Sequence, residues 1–303
     1  MRRLGLVLLL GVALAAVLLL GAGELLTRPA ARSVGAAPAD LGAQTVHIAT
    51  APAGVVVGWF ARGTPGAGAV LLLHGVRSDR RQMLARARAL RAAGPAVLLI
   101  DLPAHGESTG ERIGFGAREG AGVAAALAFL RRELPGERIG VIGVSLGAAS
   151  LVLSQPRPAP DAVVLESMYA TIGEAVADRL AMRLGPLGPP LAPLLLWQLP
   201  LRLGIDPDQL RPVEAIARLG APVLVVSGRE DLHTPWPATQ RVFAAAAPPK
   251  ALWPVEGAAH VDLYAFGAQA YEARVFGFLF AHLRKDGLRR NGNLTAAAGA
   301  GRF

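Results

Sequence analysis

Short apolar runs alternate with longer helical stretches along most of the chain. Eight runs have the length and composition of buried strands: 45–49, 55–60, 69–74, 96–101, 139–144, 162–166, 223–227 and 251–255. From the third run onward, stretches of helical length lie between them or follow them: 80–93, 115–134, 146–155, 235–246 and 268–283. Helices of this length connect parallel strands. The pattern therefore predicts an α/β fold with a mostly parallel, twisted sheet and helices on both faces.

The stretch from 167 to 220 breaks this alternation because it contains no strand-like run. Its uncharged part, 184–200, contains five prolines. Each proline interrupts a helix, so a second membrane span is not predicted here. We expect an insertion of helical segments that covers the carboxyl ends of the strands.

The N-terminal segment is a candidate membrane span. Residues 4–23 carry no charge and follow Arg2 and Arg3. At 1.5 Å per residue, a helix of this length covers roughly 30 Å, one hydrocarbon thickness. A cleaved secretory signal stays open as the alternative, with small residues at Gly21 and Gly23 or at Ala37 and Ala39. Either reading places the following domain outside the cytoplasm if the arginines stay inside.

These observations divide the chain into four parts. We expect a transmembrane anchor or signal at 1–27, a linker rich in Ala, Pro and Gly at 28–44, and a folded domain at 45–283. Within that domain the helical insertion, or cap, covers about 168–220. Residues 284–303 are expected to form a disordered basic tail.

Charge and composition exclude several functions. The net charge of +9 is concentrated at the chain ends, which argues against a nucleic-acid surface on the domain. The chain has no cysteine, so a disulfide framework, a thiolate nucleophile and a cysteine metal site are excluded. We expect no metal, no cofactor and no nucleic-acid partner.

A Gly-x-Ser-x-Gly motif marks a candidate nucleophile. Gly143, Ser145 and Gly147 follow a predicted strand and open a predicted helix, which is the context of a nucleophile elbow. The sharp turn strains the backbone at Ser145 and leaves no room for side chains two residues away on either side. The helix N-terminus adds partial positive charge where an oxyanion would form.

Three further features agree with a serine nucleophile. His74-Gly75 ends the third strand, so the backbone N–H groups of Val76 and Leu146 are expected to form an oxyanion hole. Asp231 follows a later strand and is the predicted acid, with Glu230 and Asp262 as alternatives. His260 lies after the last strand and is the predicted base, which gives the chain order Ser145, Asp231, His260.

With these motifs and the run Asp101-Leu102-Pro103-Ala104-His105-Gly106-Glu107-Ser108, the chain resembles serine hydrolases of the α/β-hydrolase superfamily, in their esterase, lipase and aminopeptidase-like branch. The resemblance covers about 45–283. It implies an eight-stranded sheet whose second strand is antiparallel, with a helical cap after the sixth strand. Ala148 departs from many relatives, which have a second glycine there, but it removes no catalytic group.

The predicted function is cleavage of a carboxylic ester or related acyl bond through an acyl-enzyme on Ser145. An amidase or aminopeptidase on the same triad, perhydrolase chemistry, and a non-catalytic scaffold used for binding stay open. An apolar acyl substrate is expected because the cap is rich in Leu, Pro and Met. The predicted substrate-binding side chains are Arg77, Met168 and Trp197.

Other polar residues near the motifs have plainer interpretations. Arg77, Arg80 and Arg81 are expected on a solvated helix face, with Ser78 or Asp79 as its N-cap, and contact between Arg77 and an anionic substrate group is the alternative. His105 and His233 are interpreted as loop residues rather than bases.

Overall fold

The computed structural model describes residues 2–284, and its centre is an eight-stranded sheet. The ten strands within these residues are β1 Ala30–Ala31, β2 Gln44–Thr50, β3 Gly54–Ala61, β4 Ala69–Leu73, β5 Ala96–Ile100, β6 His105–Gly106, β7 Ile139–Val144, β8 Ala162–Glu166, β9 Val223–Gly228 and β10 Lys250–Val255. The large sheet has the order β10-β9-β8-β7-β4-β5-β3-β2, while β1 and β6 pair separately. Strand β3 is antiparallel to both neighbours and the other pairs are parallel. The predicted fold class is confirmed.

Helices cover both faces of this sheet. Their bounds are α1 Arg2–Thr27, α2 Leu84–Ala92, α3 Gly120–Glu133, α4 Leu146–Ser154, α5 Ile172–Leu184, α6 Ala192–Leu196, α7 Gln198–Leu203, α8 Pro212–Ala215, α9 Trp236–Ala245, α10 Leu263–Phe266, α11 Ala268–Tyr271 and α12 Gly277–Leu283. A π-helical turn, Glu272–Phe276, joins α11 to α12. Short 3-10 turns lie at Ala39–Leu41, Arg80–Met83, Gly185–Leu187, Pro189–Leu191, Pro207–Gln209 and Ile216–Arg218.

The hydrophobic core has two layers because the sheet is buried on both faces. In β4, Leu71 and Leu73 pack in the layer that holds α3 and α4, while Val70 and Leu72 pack in the layer that holds α2 and α12. All four side chains are fully buried. This two-sided burial explains why the central strands read as continuous apolar runs.

Helices α5 to α8 form the segment between β8 and β9 where the sequence predicts a cap. Prolines occupy the first turn of several of these short helices and turns, the positions where a missing N–H costs nothing. The uncharged stretch 184–200 is thereby divided into short pieces. Within residues 2–284, one helix, Arg3–Thr27, is long and apolar enough to cross a membrane or to serve as a signal.

Residues 28–44, expected to be a linker, are fixed on the domain. Strand β1 pairs in parallel with β6, and the amides of Val34 and Gly35 both donate to the Glu107 carboxylate. These partners lie more than 70 residues away in sequence, which is why local composition does not reveal them. The predicted tail lies outside the described residues beyond Arg284.

Arg80 is buried in an ion pair, which corrects the prediction that it lies on a solvated helix face. Its guanidinium binds the Asp101 carboxylate, and both side chains are fully buried. It also binds Glu107, donates to the Gly35 carbonyl at 2.9 Å and stacks 4.7 Å from the centroid of the Trp59 ring. Of the two predicted N-caps, Asp79 performs the role, accepting from the Arg81 amide at 3.0 Å.

We expect Arg80→Met to lower the free energy of unfolding by about 3–5 kcal/mol, because it leaves the Asp101 carboxylate buried without its ion-pair partner. Arg81→Met is the matched control: its side chain is 49% exposed, so the change should cost much less than the loss of Arg80. Urea unfolding measures both. Equal losses for the two variants would contradict the assigned role of Arg80.

Candidate active site

Ser145 lies on a sharp turn between β7 and α4. Its backbone has φ 50° and ψ −106°, a conformation that costs a non-glycine residue free energy. A Cβ at position 143 would lie 2.7 Å from the Ala148 backbone, and one at 147 would lie 2.6 Å from the Leu73 carbonyl oxygen. A side chain at either position would clash with neighbouring backbone, so the motif requires glycine at both. The turn presents the Ser145 side chain at the carboxyl end of β7.

Asp231 and His260 meet at the same edge of the sheet. The Nδ1 of His260 lies 2.7 Å from Oδ2 of Asp231, and the Asp231 carboxylate also accepts from the Thr234 hydroxyl at 2.7 Å and from the backbone of His233 and Thr234. Burial raises the pKa of Asp231, but the hydrogen bonds from His260 and Thr234 outweigh burial and hold that pKa below its ordinary value. Asp231 is thus an ionised, fixed partner for the imidazole.

Ser145 and His260 line one cavity of about 280 Å³. Val76, Gln82, Arg179 and His233 also line it. Ser145 is 6% exposed, and the His260 side chain is 25% exposed. The structure therefore places the predicted nucleophile and base on one cavity that a small substrate can enter, and the predicted acid binds the base from behind it.

The two predicted oxyanion donors flank Ser145. Leu146 is the first residue of α4, so its N–H has no acceptor within the helix. Val76 lies in the loop after β4, and that loop is held by the Gly75 amide donating to Gln82 at 2.8 Å. The Leu102 amide donates to Nε2 of His74 at 3.0 Å, so Nδ1 of His74 carries the proton and donates to the Gly75 carbonyl at 2.7 Å.

The three predicted substrate-binding side chains lie away from this cavity. The guanidinium of Arg77 binds the Leu25 carbonyl of α1. Met168 is buried in the core layer beside α4, and Trp197 is 64% exposed on the cap. A residue's position in the sequence beside a motif does not determine which way its side chain points. None of these three side chains lines the cavity.

Arg179 is a cavity residue that the sequence interpretation missed. It projects from α5, and its guanidinium donates to the Ala175 carbonyl of the same helix at 2.8 Å. Within residues 2–284 no carboxylate lies within ion-pair distance of it. Burial lowers its pKa. The local sequence does not single it out, because α5 also carries Glu174, Asp178 and Arg183.

A second buried ion network holds the loop that carries His260. Arg86 pairs with Glu166 at 2.8 Å and with Asp262 at 2.8 Å, and the Tyr271 hydroxyl donates to Glu166. Asp262, the alternative acid, also caps α10. Its carboxylate is therefore engaged with Arg86 and α10, whereas Asp231 binds the imidazole.

Groups of three or more His, Cys, Asp or Glu side chains placed to hold a metal ion do not occur within residues 2–284. His233 lies beside His260, with ring centroids 4.8 Å apart. Burial and the neighbouring His260 lower the pKa of His233.

The chain belongs to the alpha/beta hydrolase family, whose model matches residues 70–273. An uncharacterized protein of Mycobacterium tuberculosis is 34% identical over 208 residues, 68% of each chain. The uncharacterized protein YqkD of Bacillus subtilis is 26% identical over 214 residues, which is 69% of this chain and 70% of YqkD. Membership of this family supports hydrolase activity.

Solved structures agree on the fold. The Pyrococcus furiosus esterase Pf2001 has a TM-score of 0.69 at 22% identity and covers 85% of this chain and 98% of its own. A thermophilic esterase from Thermogutta terrifontis has a TM-score of 0.56 at 18% identity, covering 79% of this chain and 99% of its own. These likenesses confirm the α/β-hydrolase architecture.

We expect Ser145→Gly to be more stable than Ser145→Ala by about 1 kcal/mol, because glycine adopts a positive φ without strain. Ser150 in α4 provides the matched control: there glycine should be less stable than alanine by about 1 kcal/mol. Denaturant unfolding of the four variants measures both differences. If the alanine variant were more stable than the glycine variant at both 145 and 150, the backbone at 145 would not be strained.

The structure also predicts a loss of stability in mild acid. Burial lowers the pKa of His74 and of His105 to about 4. Since the unfolded pKa is about 6.5, the unfolded chain binds more protons between these values. Stability is therefore full above pH 6.5 and falls below it by about 1.4 kcal/mol per pH unit for each histidine.

His105→Gln should reduce this fall in the free energy of unfolding, measured in urea between pH 7 and pH 5. His47, an exposed histidine of β2, is the control, and His47→Gln should leave the slope unchanged. If the free energy of unfolding of His105→Gln fell with pH as steeply as that of the wild type, His105 would not be the buried neutral histidine that causes the fall.

Proposed function

We propose that the protein is a serine hydrolase that cleaves a carboxylic ester or related acyl bond, with Ser145, Asp231 and His260 as its catalytic triad. The observation that carries the proposal is the 2.7 Å contact between a buried Asp231 and His260, which lines the same cavity as Ser145. The strained backbone at Ser145 adds support, because strain of this kind concentrates at functional sites.

The proposed reaction has two halves. The hydroxyl of Ser145 attacks the acyl carbonyl while Nε2 of His260 takes the hydroxyl proton, and Asp231 stabilises the imidazolium. The oxyanion accepts hydrogen bonds from the Val76 and Leu146 amides. His260 then returns the proton to the leaving alkoxide, and an acyl-enzyme forms on Ser145.

In the second half, His260 takes a proton from water, which attacks the acyl carbonyl. The proton passes to Ser145 as the acyl bond breaks, so the free acid leaves and the enzyme is restored. Asp231 is buried and accepts four hydrogen bonds, which keeps it ionised through both halves.

The similarity of the fold to several solved esterases favours ester rather than amide cleavage. An amidase or aminopeptidase would use the same three residues, so the bond type is decided by assay. A non-catalytic scaffold is the competing class, and it gives no physical reason to maintain the strained turn at Ser145 or the buried Asp231.

We also propose that α1 anchors the enzyme in a membrane and that the hydrolase domain faces away from the cytoplasm. The hydropathy and length of α1 support a span. The contacts of Glu24 with Arg112 and Arg202 and of the Thr27 carbonyl with the Ile113 amide support retention of the segment.

The triad predicts a graded set of variants assayed with p-nitrophenyl esters. Ser145→Ala should abolish turnover, and Asp231→Asn should lower kcat by about 10⁴-fold, because it favours the wrong His260 tautomer. Glu230→Gln is the matched control: Glu230 is exposed beside Asp231, so activity should persist.

The same assay separates the competing functions. Hydrolysis of esters but not of the matching anilides, and without a free amine, agrees with the proposal. Preference for anilides identifies an amidase. A folded wild-type protein that turns over neither substrate, and whose Ser145 stays unreactive, would indicate the scaffold.

A further inference from the structure

Helices α6 and α7 carry a row of exposed apolar side chains. The backbone stays helical through Trp197, so 192–203 form one helical run. Leu194, Trp197 and Leu201 are 49%, 64% and 70% exposed. Their spacing of three and four residues places them on one side of this run, which we call the cap face. A large exposed apolar patch marks an interaction surface.

The neighbouring side of the same run holds the end of α1. Gln198 donates to the Leu19 carbonyl at 3.0 Å. Arg202 donates to the Leu20 carbonyl at 2.6 Å and pairs with the Glu24 carboxylate at 2.7 Å. A Cβ at Gly23 would lie 2.2 Å from the Gln198 side chain. Helix α1 is therefore packed closely against the cap from Leu19 onward.

The length of α1 determines how deep its contact with the cap lies relative to the membrane. The uncharged run 4–23 contains 20 residues, about 30 Å of helix, which is what one hydrocarbon core requires. The part of α1 before the cap contact, 4–18, supplies only about 22 Å at 1.5 Å per residue. A full span therefore draws 19–23, and the cap that contacts them, to the level of the membrane.

We infer that the cap face, formed by Leu194, Trp197 and Leu201, lies in the interfacial layer of the bilayer that α1 spans. The partner of this surface is lipid. The residue types suit this depth, because leucine is apolar and tryptophan is enriched at the membrane interface. The cap is then a membrane-contacting element rather than a freely solvated lid.

Spin labelling of the full-length protein in phosphatidylcholine–phosphatidylglycerol vesicles tests this inference. The chain contains no cysteine, so Trp197→Cys and Leu201→Cys each give a single labelling site. Arg132→Cys in α3 is the control, since the Arg132 side chain is 67% exposed. Collision rates with oxygen and with a water-soluble nickel chelate report the depth of each label.

We expect the labels at 197 and 201 to collide mainly with oxygen and the label at 132 mainly with the nickel chelate. Nickel accessibility at 197 and 201 equal to that at 132 would overturn the inference. So would dipolar broadening at 197 that disappears on dilution with unlabelled protein, because a second copy would then cover the face.

The intact mass of the vesicle-bound protein provides the second readout. A chain that retains Leu19 to Glu24 agrees with the inference, whereas a mature chain that begins after Glu24 contradicts it. Neither readout requires turnover, so Ser145→Ala protein should give the same accessibilities. Failure of the proposed hydrolase activity is thereby distinguished from failure of the membrane contact.

Discussion

At Ser145 the chain turns from β7 into α4 with a positive φ, and the rest of the site is arranged around that turn. The turn closes because positions 143 and 147 carry no side chain, and because the Ser145 amide donates to the Glu166 carbonyl at 2.8 Å. It sets the nucleophile at the carboxyl end of a central strand. It also places the Leu146 amide at the start of a helix, where it has no acceptor within the helix, so the proposed nucleophile and the proposed oxyanion donor come from one local constraint.

Two buried arginines hold the loops that surround this turn. Arg80 ties the loop after β4, which carries Val76, to Asp101 and to the segment before β2. Arg86 ties the loop after β10, which carries His260, to Glu166 at the end of β8. Buried ion pairs add little net stability compared with apolar packing, but they fix geometry, and a broken pair is costly. Both arginines place loops that the proposed mechanism uses.

Much of this arrangement could be predicted from the sequence because it depends on local pattern. All eight strands of the large sheet lie where the apolar runs indicate, and the motif around Ser145 occurs between a strand and a helix as predicted. Arg80 and Arg86 could not be placed, because their carboxylate partners, Asp101 and Glu166, lie 21 and 80 residues away. Arg179 was missed for a related reason: the direction of a cap helix depends on packing, which periodicity alone does not specify.

The direct test of the account is the site at which a fluorophosphonate reacts. Such a probe forms a covalent bond with a serine that is activated by a base and held beside an oxyanion hole. Tandem mass spectrometry of the labelled full-length protein should locate the adduct on Ser145, with labelling slowed in Asp231→Asn and absent in Ser145→Ala. An adduct on another serine, or a folded protein that stays unlabelled, would contradict the proposed triad.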